Sequence, residues 1–344
     1  MNLDKYLVKL FAMTNLLGAG LEATTEQAQA QAFSITNFTV GASGPRTAGF
    51  SANGSSYYIL YGGTAVTNIP QPISMTLGSA GGMSLQDTSP QLGAQFYRVA
   101  EIPLSQPLDS DGDGIDDVFE LSYPGCLNPL SATDLGADCD GDGRSNLQEY
   151  YDGTNPIVAD AAPRLVINEV DYDQLGTDTT EFVEVLNAGT NTINLSHYAL
   201  AFINGANNLE YLRVNLNGVI SAGQYLVVTS TNLTGIATGA RVIYFPLGEN
   251  NFQNGSPDGV ALINTGALTI SDAFCYEGAM PAANINGFTG TRSLVEGTAL
   301  SASIADSNTV VGSLARLPNG MDSDNAAADW NFTSSPTPGG PNVP

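Results

Sequence analysis

The segment Asp109–Glu120, DSDGDGIDDVFE, places six carboxylates in twelve residues. Like charges so close repel, and the repulsion grows wherever water is excluded. Such a segment is either solvated or organised around a cation. A second copy decides between these: DCDGDGRSNLQE, Asp138–Glu149, begins 29 residues later. Asp109, Asp111 and Asp113 align with Asp138, Asp140 and Asp142; Gly114 aligns with Gly143, Asp117 with Asn146, and Glu120 with Glu149.

This is the spacing Ca²⁺ requires. The ion takes six to eight oxygens at ~2.3–2.6 Å, from carboxylates at loop positions one, three and five, a carbonyl at seven, a water-linked group at nine and a glutamate at twelve, with glycine at six for the turn. The expected ligands are Asp109, Asp111, Asp113, the Ile115 carbonyl, Asp117 and Glu120 in one loop. In the other they are Asp138, Asp140, Asp142, the Arg144 carbonyl, Asn146 and Glu149. A solvated acidic linker explains neither the glycines nor the closing glutamates, and Mg²⁺ is disfavoured by so many carboxylates. Two Ca²⁺ sites are expected. No entering helix precedes either loop, and only the short segments IDDVFELSY and SNLQEYY follow. That suits a rigid structural site better than a sensor, which needs paired helices.

Short strands flank this region. FSITNFTV, SYYILYGG, ISMTLGSA and AQFYRVAEI predict a small β-module over 33–104, and the acidic repeats make a calcium-binding spacer over 105–160. From 164 to 344, strands such as RLVINEVDY, EFVEVLNAG, QYLVVTS and DGVALINTG predict a β-sandwich. The tail SSPTPGGPNVP cannot enter a central strand, because its prolines lack donors.

Thirty-four acidic against ten basic residues give a net charge of −24, and the basic residues are scattered. Direct nucleic-acid binding needs clustered Lys and Arg, so it is not expected. Nor is a membrane span, which needs ~18 consecutive apolar residues. Lys5 and Lys9, then LFAMTNLLGAGL and AQAQA, read as a secretory signal over 1–32, implying a secreted or cell-surface protein. Cys126 and Cys139 flank LNPLSATDLGAD. A disulfide there would suit export and stabilise by ~3 kcal/mol; two separate thiols are the alternative. Cys275, in DAFCYEG, is left over and reads as a small buried strand residue.

The two loops together with NLQEYYDGTNP resemble bacterial thrombospondin type 3 and dockerin-like Ca²⁺ repeats over 109–156. Dockerins bind partner proteins through such units, which implies a docking alternative. INEVDYD, EFVEVLN, LSHYAL, SAGQYLVV, DGVALIN, LARLPNGMDSDNAAADW and SPTPGGPN, spanning 164–342, are similar to the lamin tail domain. That resemblance implies an immunoglobulin-like sandwich of bacterial exported proteins and no particular activity. The N-terminal module, ending AQFYRV, is similar to small fibronectin-like β-modules of exported bacterial proteins. The expected fold is mostly β: a small fibronectin-like module, a Ca²⁺-binding loop–helix spacer and an immunoglobulin-like sandwich.

Few residues offer chemistry. His197 is the sole histidine and has no GxSxG partner motif, so it reads as a surface residue rather than a catalytic base. Glu169, Asp171 and Asp173 alternate along a strand, with Asp178, Glu181 and Glu184 close behind. An acidic solvent face is the expectation; a third cation site and a glycosidase-type carboxylate pair are the alternatives. Asp322–Asn325, DSDN, lacks the glycine and distal glutamate of a full loop and reads as a turn. The expected function is a non-enzymatic, Ca²⁺-stabilised contact with an extracellular protein or glycan, against a hydrolase or a dockerin-like adaptor.

Overall fold

The computed structural model describes residues 8–13, 35–40, 45–88 and 95–344. The chain divides into two compact units, Met1–Cys139 with Ser145–Leu147, and Asp140–Arg144 with Gln148–Pro344. The acidic repeats therefore do not form a body of their own; the division falls within the second loop.

In the first unit, β1 (Val8–Met13), β2 (Ile35–Val40), β3 (Arg46–Ala52), β4 (Ser56–Gly63), β5 (Gln71–Leu77), β6 (Gly81–Asp87) and β7 (Gln95–Pro103) make two antiparallel sheets, ordered β1-β7-β4-β5 and β2-β3-β6. Of the leader-like segment 1–32, only Val8–Met13 falls within the described residues, paired with β7; AQAQA lies outside them. β4 is apolar nearly throughout because both its faces are covered, the condition under which strands lose their alternation. Tyr58 and Leu60 join Phe50, Leu85, Tyr97 and Val99 between the sheets. Tyr57 and Ile59, with Ala100 and Ile102, face Leu104, Leu108 and two residues of α1 (Asp117–Ser122), Val118 and Leu121. The first acidic repeat is thus seated on this unit by apolar contact, each buried large side chain contributing roughly 1.5–3 kcal/mol.

α2 (Asn146–Asp152) begins with two residues of the first unit and continues from Gln148 in the second. In the second unit, the strands are β8 (Leu165–Asp171), β9 (Phe182–Asn187), β10 (Ile193–Asn194), β11 (Tyr198–Asn204), β12 (Leu209–Asn215), β13 (Val219–Ile220), β14 (Tyr225–Thr229), β15 (Arg241–Tyr244), β16 (Asp258–Asn264), β17 (Thr269–Tyr276), β18 (Ser313–Arg316) and β19 (Trp330–Thr333), with α3 (Ala326–Asp329) before the last. A six-stranded sheet, β15-β14-β9-β8-β18-β19, faces a four-stranded one, β12-β11-β16-β17. The core between them holds Ile167, Val183, Leu200, Phe202, Leu262, Phe274 and Trp330. This is the expected immunoglobulin-like sandwich in a mostly β protein. The outer face of the four-stranded sheet is covered by Met280, Ala283, Ile285 and Leu294. Cys275 lies in that layer as a free, buried cysteine and donates to the Leu294 carbonyl at 2.9 Å.

The carboxylates of β8 and β9 do not form the expected solvent face. Glu169, Glu181 and Glu184 are fully buried, and Asp171 nearly so. The prolines of the tail explain the difference, since the tail meets side-chain acceptors instead of a strand edge. Thr337 N donates to Glu169 at 3.0 Å and Gly339 N to Glu184 at 2.6 Å. Glu181 in the same way accepts from Asn251 N at 2.8 Å and Phe252 N at 2.9 Å.

Candidate cation sites

The first loop is wound by its own carboxylates. Asp109 accepts from Gly112 N at 2.7 Å and Asp113 N at 3.2 Å on one oxygen, and from Gly114 N at 3.1 Å on the other. Gly114 sits at φ +102°, and Gly143 of the second loop at +98°, where any side chain is strained. Asp113 Oδ1 accepts from the backbone of Ile115 at 2.8 Å, and Ile115 itself is fully buried. Asp116 caps α1 through Val118 N and Phe119 N. Asp117 is fully buried, taking Ser110 N at 2.8 Å, Ser110 Oγ at 2.8 Å and the Tyr57 hydroxyl at 2.9 Å. That last bond fastens the loop to β4.

Glu120 stands apart. The first turn of α1 carries it inward to full burial, and among the described residues no donor reaches either of its oxygens. Asp111 Oδ2, Asp113 Oδ2 and Asp134 Oδ1 are likewise buried without donors. Asp113, Glu120 and Asp134 each offer an oxygen within 4.8 Å of the others, as do Asp109, Asp111 and Asp113. With no cation counted, burial and then the charges of Asp111, Asp113 and Asp134 push the Glu120 carboxyl up to about 9. Burial also raises Asp111 and Asp113, with Asp113 adding to the rise at Asp111 and Asp109 to that at Asp113.

The second loop repeats this with one change. Within the second unit, Asp140 Oδ1 accepts from Asp142 N at 3.1 Å, while Asp140 Oδ2 has no donor. Asp142 accepts from Arg144 N at 2.8 Å and Asp160 N at 3.1 Å. Glu149 is fully buried with neither oxygen bonded, and Asp142, Glu149 and Asp160 converge within 4.8 Å. The Arg144 guanidinium, at the position Ile115 holds in the first loop, pairs with Asp160 and Asp152 at 2.8 Å each. Burial and Asp140 push Glu149 up, and Arg144 draws it back, leaving it at about 7. In the first unit Asp138 is exposed. Asn146 is buried there and holds the main chain of the first repeat, its backbone donating to Ala137 O and its amide to Asp134 O, both at 2.8 Å. Position nine thus anchors the fold in both loops: Asp117 N bonds Leu108 O, 29 residues before its counterpart.

Asp134 and Asp160 lie outside the twelve-residue pattern. A signal for them exists: LNPLSATD and TNPIVAD each run from Asn-Pro to an aspartate shortly after the loop's helix. In both, the asparagine side chain turns the chain, Asn128 Oδ1 accepting from Leu130 N and Asn155 Oδ1 from Ile157 N.

The remaining candidates have other partners. His197 packs against Tyr150 and Tyr151, ring centroids 4.6 and 5.7 Å away. Asp322 pairs with Arg316, a fully buried guanidinium that also meets Asp272, Glu296 and Asp329. The acidic group Asp272, Glu296 and Asp322 therefore already has its cation. Cys126 and Cys139 form a disulfide.

The family model of the lamin tail domain matches residues 159–276, so the second unit carries a lamin tail domain. β18 and β19, beyond that match, complete its six-stranded sheet. No curated protein matches the chain. Solved structures that resemble it include a β-glucuronidase of Bacteroides uniformis, at 9% identity over 68% of this chain and 26% of that one, TM-score 0.20. Others are the β-glucuronidase of Ruminococcus gnavus, 13% identical over 67% and 35%, TM-score 0.15, and a β-galacturonidase of Eisenbergiella tayi bound to galacturonate, 9% identical over 75% and 41%, TM-score 0.15. This chain spans less than half the length of each, and likeness at that level carries no argument about fold or activity.

Proposed function

We propose that this is an exported bacterial protein that binds two Ca²⁺ ions, of the thrombospondin type 3 and dockerin-like kind, and acts by contact with an extracellular protein or glycan rather than by catalysis. The observation that carries the calcium reading is the pair Glu120 and Glu149: fully buried, with no donor among the described residues on any of their four oxygens. Burying an ionised carboxylate without a partner costs several kcal/mol. A divalent cation held by Asp111, Asp113, Glu120 and Asp134, and another by Asp140, Asp142, Glu149 and Asp160, would offset that cost. An all-oxygen set rich in carboxylates favours Ca²⁺ over Mg²⁺, which keeps several waters, and over Zn²⁺, which takes nitrogen and sulfur.

Each ion would stiffen the unit that holds it. The first is tied to β4 through Asp117 and Tyr57. The second is tied to the sandwich, where Tyr198 Oη donates to Asp152 O at 3.1 Å and Asn264 Nδ2 to Tyr151 O at 2.8 Å. The disulfide accords with export. Contact rather than catalysis is supported by Glu181 and Glu184, the pair a hydrolase would need, which accept backbone hydrogen bonds and serve as loop anchors. Among the described residues no helix is long and apolar enough to cross a membrane.

Calorimetric titration with Ca²⁺ should show two binding events and a rise in melting temperature. No heat and no rise would end the calcium reading. A glycan-array and whole-cell binding screen in Ca²⁺, repeated in chelator, tests the contact reading; binding to nothing in either condition would count against it.

A further inference from the structure

The two sites fix their outlying aspartates differently. Asp160 is held by an ion pair with Arg144 and by its own backbone bond to Asp142. Among the described residues, no guanidinium pairs with Asp134. It lies inside the ring closed by Cys126–Cys139, a sequence separation of 13, in a stretch that contains no helix. Asn128, whose backbone donates to Asp134 Oδ2 at 2.8 Å, lies in the same ring. Cys139 is exposed and Cys126 half-buried, so a soluble reductant can reach the bond.

We propose that this disulfide governs cation affinity at the first site, so that reduction by a dithiol weakens that site more than the second, whose loop holds Cys139 beside Asp140 but not the opened ring's Asp134; the inference rests on the calcium reading above. In the reduction, one thiolate of the dithiol attacks a ring sulfur and expels the other cysteine as thiolate. The second thiol then displaces the remaining cysteine, and the dithiol leaves as a cyclic disulfide. Two electrons pass from dithiol to protein, and the cysteines end as thiols. The opened ring gains conformational freedom that must be lost again each time Asp134 returns to the ion. Re-ordering a single residue's backbone is enough to weaken binding about tenfold.

The test is Ca²⁺ titration of the full chain, oxidised and after treatment with excess dithiothreitol, repeated with C126S/C139S and no reductant. The oxidised protein should show two sites. After reduction one should weaken about tenfold or more while the other shifts clearly less. E149Q, which keeps the first site, should retain the reduction effect, and E120Q should lose it. Two sites that reduction leaves unmoved, or moves equally, would overturn the proposal. Absence of binding in the oxidised protein would refute the calcium reading instead. Should the double variant not fold, the reduced wild type, checked by circular dichroism, decides the matter alone.

Discussion

Glu120→Gln should change stability in opposite directions with and without calcium. In saturating Ca²⁺ the substitution removes the carboxylate proposed to close the first site. Binding to the folded state contributes RT ln(1 + [L]/Kd), about 2.7 kcal/mol at a hundredfold excess over Kd. For a unit of this size that is a loss of roughly 9 °C in melting temperature. In chelator the sign reverses. Wild-type Glu120 is buried among Asp111, Asp113 and Asp134, which with burial push its carboxyl up to about 9 from 4.5. A folded-state pKa above the unfolded one means that folding takes up a proton between those limits. The wild type in chelator is therefore unpenalised below pH 4.5 and loses stability steadily as pH rises toward 9. The amide has no proton to take up and donates directly to its neighbours, so E120Q should be the more stable protein at pH 8 and lose its advantage near pH 4.5. Differential scanning calorimetry in 5-fold steps of Ca²⁺ and in chelator, from pH 5 to 9, reads both arms. Equal calcium shifts in the two proteins, or a variant as destabilised in chelator as in calcium, would refute the reasoning.

Three further outcomes are expected. Arg316→Met should destabilise the second unit by about 3–5 kcal/mol in urea unfolding, because Asp272 and Asp329 would stay buried without their cation. Asp171→Asn should stabilise by about 1–2 kcal/mol at pH 9 and by nothing near pH 4, since burial and Asp306 raise the Asp171 carboxyl and that penalty appears only as pH climbs through its folded value; pH-dependent denaturation measures it. Glu184→Ala should cost about 1–3 kcal/mol and speed proteolysis within 337–344, by leaving Gly339 N without its acceptor and Asn168 Nδ2 with Asn319 Oδ1 alone in place of two.

What was legible in the sequence follows the range of the interactions. The acidic loops are local patterns, twelve residues long, and their glycines and caps lie where the spacing puts them. The sandwich was legible too, because apolar runs such as DGVALIN carry their own strand signal. Long-range partners were not. Glu169 meets Thr337 across 168 residues and Glu184 meets Gly339 across 155, so nothing near either glutamate marks it as buried. Alternation along EVDYD looked like a wet face because the tail that covers it is proline-rich and has no strand pattern. Asp134 and Asp160 fall outside a twelve-residue ligand template that ends at the glutamate, although both follow an Asn-Pro turn that the two repeats share.

The shortage of basic residues gives the calcium reading its force. With ten Lys and Arg against thirty-four acids, most buried carboxylates cannot be met by a side-chain cation. Arg316 alone serves Asp272, Glu296, Asp322 and Asp329. The others rely on neutral donors: Glu169, Glu181 and Glu184 on backbone amides of the tail and a loop, Asp258 on Gly205 N and Gly255 N, Asp306 on Tyr172 N and Ser307 N. Asp117 takes Ser110 and Tyr57. Among the described residues, the fully buried acids left with neither an arginine nor a hydrogen-bond donor on any oxygen are Glu120 and Glu149, at the same position of the two repeats. A fold that finds donors for its other fully buried carboxylates has no evident reason to neglect these two, 29 residues apart, unless their charge is met from outside the chain. If both remained buried and stable at pH 8 in the presence of chelator, with no cation and no proton taken up, that reasoning would fail at its root.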